Sequence, residues 1–377
     1  MPEARIPTRS RSLLPAGLSA RALQMLVVAA AVTGGCGGGK ATSPPALRAR
    51  TYRMGFTNFP PKPTNSSAVA TLALWVRRAD AAIIHTNVPY TYLLGGMSTD
   101  SAVKVTQYPI VQYYRQAGLA VVYEIDVTNG LNRAAEDPAL DSAGRSITDT
   151  AIQHLYRQYV ASVVKLIAPD YLGLGSEVNL IQAAAPAPVY AAVVTMTNAA
   201  ANDVRLSGSQ VPLYVSIQVE TAWGRLSQPP VSYIGIAKQL TDFSFMNVMG
   251  LSSYPYLGNY TDPSQVPLDY YTRLDSGHAL PKMVVEGGWA SHSAGSFTST
   301  PVLEAQYIAR QAQLLDTAHA IGVFQLEFAD VNLPAWGFPP ADSTINLFVT
   351  IGLVDSTLAP KPALAVWDST FARPRAP

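Results

Sequence analysis

The 377-residue chain is most informative in what it lacks. It has one cysteine, Cys36, so no intrachain disulfide can form and no cysteine set can hold zinc. Its five histidines, His85, His154, His278, His292 and His319, include no His-x-x-x-His pair, so the sequence points to no metal and no cofactor. Calcium binding on loop oxygens needs no compact motif, and the pattern is silent on it. Charged residues make up only 14%, and the net charge is +1. Four arginines against one glutamate fall in the first 35 residues, which leaves −2 for the rest. Such a body offers no electrostatic footprint for nucleic acid. The chain also lacks an apolar run of spanning length: Ala22–Val32 is too short and is interrupted by Gln24.

That run, after a basic start and before Thr33-Gly-Gly-Cys36, reads as a targeting segment over 1–36. Small residues directly before a cysteine resemble the bacterial lipoprotein signal, in which the cysteine is lipidated. A lipid anchor on Cys36 would be the only membrane attachment. The other reading is a plain secretory signal cut nearby. Both put the protein outside the cytoplasm. Gly34-Gly-Cys-Gly-Gly-Gly39-Lys40-Ala41 imitates a phosphate-cradling loop, but it has no Ser or Thr after Lys40 and follows no core strand. Residues 37–50 read as a flexible tether and 51–377 as one domain, expected to be monomeric.

Hydrophobic residues reach 48%, enough for a large core. From Thr51 onward, short β-rich runs alternate with helical patterns, which argues for a parallel sheet with crossover helices. Eight strands are expected: 52–57, 82–85, 120–127, 171–175, 213–219, 248–252, 282–285 and 322–328. Helices are expected over 67–81, 105–118, 148–167, 188–205, 232–240, 263–275, 301–321 and 362–371. Eight strict repeats favour a (β/α)8 TIM barrel; an open doubly wound sheet is the alternative.

In such a barrel the strand ends form the active-site mouth. Of the eight glutamates, Glu177 and Glu286 have the most site-like settings, each closing an apolar run before a loop. Gly173 and Gly175 allow close backbone approach before Glu177; Gly287, Gly288 and Trp289 follow Glu286. They fall on strands four and seven. Two carboxyls in one cleft are what acid-catalysed glycoside cleavage requires. Trp289, Trp336, Trp223 and Tyr256 are candidate stacking platforms for sugar rings. His85, Asp126 and Glu220, also near strand ends, are candidate pocket residues. Ser291-His292 is read as no nucleophile pair, since neighbouring side chains should point apart.

The chain here resembles clan A of the glycoside hydrolases, which carries its acid/base on strand four and its nucleophile on strand seven. Gly175-Ser-Glu-Val-Asn179, Leu251-Ser-Ser-Tyr-Pro-Tyr256, Val285-Glu-Gly-Gly-Trp289 and the ending Gly352-Leu-Val-Asp355 with Lys361-Pro-Ala363 carry the likeness, which covers about half the mature chain. Within the clan, the motifs are most similar to the endo-β-1,4-galactanase family. The resemblance implies retaining hydrolysis of a β-linked polysaccharide, galactan first, with Glu177 as acid/base, Glu286 as nucleophile and Tyr254 donating to Glu286. Another β-glycan, such as a mannan or glucan, and glycan binding without cleavage are the alternatives. Two departures stand out. Ser176 replaces the Asn that usually bonds the sugar 2-hydroxyl, a contact that Asn179 could supply instead. The clan's strand-two arginine is missing from Ile83-Ile-His85-Thr-Asn87.

Overall fold

A computed structural model describes residues 48–338, except 228, and 344–376. The segment 1–36, with Cys36, and the tether up to residue 47 lie outside the described residues. Nine parallel strand segments form one sheet. Strands one to four are Arg53–Phe56, Ala81–Asn87, Ala120–Asp126 and Tyr171–Gly173. Strand five runs in two pieces, Leu213–Tyr214 and Ser216–Gln218, on either side of Val215. Strands six to eight are Met249–Ser253, Lys282–Gly287 and Gly322–Gln325. The two pieces of strand five are the two edges of the sheet. They join through Val215, whose carbonyl accepts from Gly250 N, while Ser216 N donates to Gly175 O. The result is a closed (β/α)8 barrel, with all eight strands where the alternation puts them.

The core has two layers. Inside the barrel pack Ala81, Ile83, Ala120, Val122, Tyr214, Val248, Met283, Val285 and Phe324. The alternate residues, such as Ala82, Val121, Leu172, Leu251 and Val284, face the helices. Strands buried on both faces read as continuous apolar runs, as these do. The longest periodic helical pattern becomes helix Thr150–Ile167, whose buried stripe is Ile152, Tyr156, Tyr159, Val160, Val163 and Ile167. Its end is set by Ala168 in the left-handed conformation, directly before Pro169.

Three helix expectations are corrected. The pattern over 232–240 is helical only from Ala237, in helix Ala237–Asp242, because Gly235 before it takes a left-handed φ of 75°. The pattern over 105–118 is two helices, Thr99–Thr106 and Tyr108–Gln116, because Pro109 opens the second and cannot continue the first. The stretch 263–275 forms only two 3-10 turns, Pro263–Gln265 and Thr272–Asp275, with Pro267 between them breaking any longer ladder. Among the described residues no helix is long and apolar enough to cross a membrane.

Candidate active site

Glu286 reaches the barrel mouth through a β-bulge. Strand six pairs Leu251 with Val284 and then Ser252 with Glu286, skipping Val285. Met283 and Val285 already face inward, so an unbroken strand would turn Glu286 out. The extra residue resets the phase and sets Glu286 beside the inward Ser252. Tyr254 Oη donates to Glu286 Oε1 at 2.7 Å. His85 Nδ1, from strand two, lies 3.2 Å from Glu286 Oε2.

Glu177 follows strand four and caps the short helix Val178–Ala184 with φ 47° and ψ 45°, a left-handed conformation that is uncommon for a non-glycine residue. Ser216 Oγ holds that backbone by accepting from Glu177 N at 2.9 Å. The Glu177 carboxylate accepts from Ser252 Oγ at 2.6 Å and from Arg133 Nε at 3.0 Å. Arg133, from the loop after strand three, also grips both oxygens of Asp126 at 2.5 and 2.7 Å and donates to Ser176 Oγ at 3.2 Å. Beneath this layer, Glu124 accepts from Ser216 Oγ and Tyr214 Oη.

The electrostatics separate the two glutamates. Burial alone would raise Glu286, but the His85 contact and charge, the Tyr254 hydrogen bond and Arg133 outweigh it and hold its carboxyl below the usual range. Burial likewise penalises a charged His85, yet Glu286, Glu124 and Asp126 raise it to about 10, so it is an imidazolium at neutral pH. Glu177 is pushed up, chiefly by burial and also by the charge of Glu286, against the pull of Arg133. The split is that of an ionised carboxylate facing a proton donor.

A cavity of about 600 Å³ opens beside Glu286. Its wall includes His85, Glu327, Phe59, Phe338 and Phe348. Trp336 stacks on Phe59 with ring centroids 4.7 Å apart and planes 9° apart. The aromatic wall therefore belongs mainly to phenylalanines, with Trp336 behind one of them.

Several residues expected to contact substrate do not line this cavity. Trp289 is wholly buried, its indole N–H bonded to Ser299 Oγ and its ring packed on Tyr256, Phe297 and Tyr307. Tyr256 is buried with its hydroxyl on Leu347 O. Trp223 stacks on Tyr270 and bonds its carbonyl. Asn179 is buried, with both ends of its amide bonded to the Gln218 backbone. Ser176 is buried against Arg133, and Asp126 is held by the same guanidinium. Glu220 is wholly buried among Gln218 and Tyr270, which lifts it to about 7. Ser291 and His292 do meet, at 2.9 Å, contrary to expectation; Ser291 is nonetheless buried and also bonded by Lys361.

Sequence reasoning missed Arg133, Ser252, Glu327 and the three phenylalanines. Arg133 sits in a loop with no motif. Ser252 lies inside the quoted Leu251-Ser-Ser-Tyr-Pro-Tyr256 segment, which is the signal that could have found it.

No family model matches this chain, and no curated protein matches it. Solved structures do. A β-glucuronidase of an uncultured Clostridium sp. matches with 14% identity and a TM-score of 0.53, over 85% of this chain and 50% of that one. The exo-β-1,4-mannosidase Op5Man5 of Opitutaceae bacterium strain TAV5 matches at 14% and 0.59, over 86% and 59%. A family 39 glycoside hydrolase of Bacteroides cellulosilyticus WH2 matches at 16% and 0.57, over 86% and 64%. This chain spans less than two thirds of the length of each, and at these identities the likeness is one of fold.

Proposed function

We propose that this protein is a retaining β-glycoside hydrolase of the clan A type, with Glu177 as acid/base and Glu286 as nucleophile. The observation that carries the reading is a pair of buried carboxyls at the ends of strands four and seven, one pushed up mainly by burial and the other held down, against burial, by His85, Tyr254 and Arg133. Glu177 gives its proton to the glycosidic oxygen while Glu286 attacks the anomeric carbon, and the leaving alcohol departs. Water, deprotonated by Glu177, then attacks the glycosyl–Glu286 ester and frees both the sugar and the carboxylate. Tyr254 and His85 stabilise the charge on Glu286 between turnovers. The named activities of the structural neighbours, all on glycosides, support the reaction class, and the motif likeness supports a galactan-like chain.

A second reading is favoured by one contact. A carboxylate that accepts from Arg133 at 3.0 Å is stabilised in its ionised form, which suits a site that holds glycan without cleaving it.

Reducing-sugar release from galactan, arabinogalactan, mannan, xylan and β-glucans separates the two. Release from one polymer, lost in Glu177→Gln and Glu286→Gln, is expected. Full activity in Glu286→Gln would overturn the nucleophile assignment. No release from any polymer by a folded wild type would favour the binding reading.

We also propose a lipid anchor on Cys36. Cys36→Ser should move the protein from the membrane to the soluble fraction, and unchanged partition would exclude the anchor.

A further inference from the structure

Four polar atoms at the cavity wall are buried without a hydrogen-bond partner among the described residues. They are Asn58 Oδ1 after strand one, His85 Nε2 on strand two, Glu286 Oε2 on strand seven and Glu327 Oε2 after strand eight. Buried polar atoms are almost always satisfied in native proteins, so four orphans from four strands around one cavity, three of them acceptors, call for a ligand rich in hydroxyls. Glu327 is the most demanding of them. It is 5% exposed, and no cation among the described residues forms an ion pair with it. The nearest ammonium, Lys361, is committed to Glu304 at 2.9 Å, Asp330 at 2.8 Å and Ser291 at 3.0 Å.

We propose that Glu327 selects an uncharged sugar ring beside Glu286, hydrogen-bonding one of its hydroxyls and turning away rings that carry a carboxylate. The inference rests on the glycan reading of this site. Two carboxyls, Glu286 and Glu327, line the cavity, and the one cation on its wall among the described residues is His85, flanked by Glu286 3.2 Å from its Nδ1 and by Asp126 3.8 Å from its Nε2. A uronate carboxylate would find no positive partner there that a protein carboxylate does not already face. It would lose its hydration next to the charge of Glu286 and be disfavoured on the order of tenfold or more in affinity. Burial and Asp330 push the Glu327 carboxyl up, opposed by Lys361. A protonated Glu327 can donate to a hydroxyl as well as accept from one.

The test is calorimetric binding of β-1,4-linked disaccharides of galactose, mannose and glucose, a uronate-ended disaccharide and a glucosamine disaccharide. The protein is the Glu177→Gln chain, which blocks turnover and keeps Glu286, alone or with Glu327→Ala or Glu327→Gln. One neutral disaccharide should bind at least tenfold tighter than the uronate. Glu327→Ala should weaken it tenfold or more, and Glu327→Gln should recover most of that loss. Equal or tighter binding of the uronate or of the glucosamine sugar overturns the proposal. So does an unaltered Kd in folded Glu327→Ala. Turnover by the wild-type chain is measured in parallel. Hydrolysis with no dependence of KM on Glu327 overturns this inference alone. Binding that depends on Glu327, without hydrolysis, overturns the catalytic reading alone. Binding of no sugar overturns both.

Discussion

At the scale of single residues, the site is a set of charges each held by its neighbours. Glu286 has two supports, Tyr254 Oη and His85. Tyr254→Phe keeps the ring, which packs on Phe348 and Tyr256, and removes only the donor. A hydrogen bond to a charged group contributes about 1.5–3 kcal/mol, so kcat should fall roughly 10- to 100-fold. Glu286 should also become easier to protonate, because the Tyr254 bond helps to lower it. The acidic limb of kcat/KM should therefore move to higher pH, with little change in melting temperature. A variant with wild-type kcat and an unmoved limb would remove Tyr254 from the mechanism. Both glutamates were legible in the sequence because glycines and strand-ending position mark them. His85 was legible only as a strand-end histidine. Its partnership with Glu286 joins strands two and seven, 201 positions apart, and no local pattern encodes that distance. Arg133 was invisible for the same reason. Its meaning comes from Asp126 and Glu177 converging on it.

At the scale of elements, the barrel fits around one large ring. Tyr214 lies inside the barrel with Gly173 on strand four and Gly250 on strand six against its two sides. A Cβ on Gly250 would come within 2.6 Å of that ring and 3.0 Å of the Val215 carbonyl, the group that accepts the bond closing the barrel. Gly250→Ala must therefore shift Tyr214, whose hydroxyl bonds Glu124 beneath the site. Overpacking of this kind costs typically about 1–3 kcal/mol. Urea unfolding should show a lower midpoint with an unchanged slope, and activity should fall with it as the Glu124 layer moves. Unchanged stability would mean that the barrel interior has slack at Tyr214. The same scale explains what the sequence pattern concealed. Alternation of apolar runs locates all eight strands, but a bulge adds a residue without altering composition. The inward turn of Glu286 at Val285 could not be read from Lys282-Met-Val-Val-Glu. Trp289 misled in the opposite direction: glycines before an aromatic look like a binding loop, yet the loop folds the ring under Phe297 and Tyr307.

At the scale of the whole molecule, several protons are bound more tightly by the folded chain than by the unfolded one. Burial lifts Glu220 to about 7 and, with Asp330 and against Lys361, Glu304 to about 8. His85 is raised to about 10 by its carboxylate neighbours, in spite of burial. A raised value means that the stabilisation is complete below the unfolded pKa and is lost as pH climbs through the folded one. The windows are about 4.5 to 7 for Glu220, 4.5 to 8 for Glu304 and 6.5 to 10 for His85. The carboxyls that act the other way, Asp100, Asp149, Asp262, Asp355 and Glu286, are lowered by hydrogen bonds and ion pairs, in Glu286 against burial. They lose their contribution only as pH falls below the ordinary carboxylate range, outside these windows. Thermal midpoints recorded by circular dichroism at constant ionic strength should therefore decline steadily from pH 5 to pH 10. Between pH 8 and 9, before the buried tyrosines with raised values, such as Tyr52, Tyr159 and Tyr271, add their own loss, the remaining slope belongs chiefly to His85, so His85→Asn should flatten that part of the curve while leaving the decline between pH 5 and 7. A midpoint that stays level or rises between pH 8 and 9 in the wild type would show that His85 is not held as an imidazolium, and the ionised state assigned to Glu286 would lose its main support.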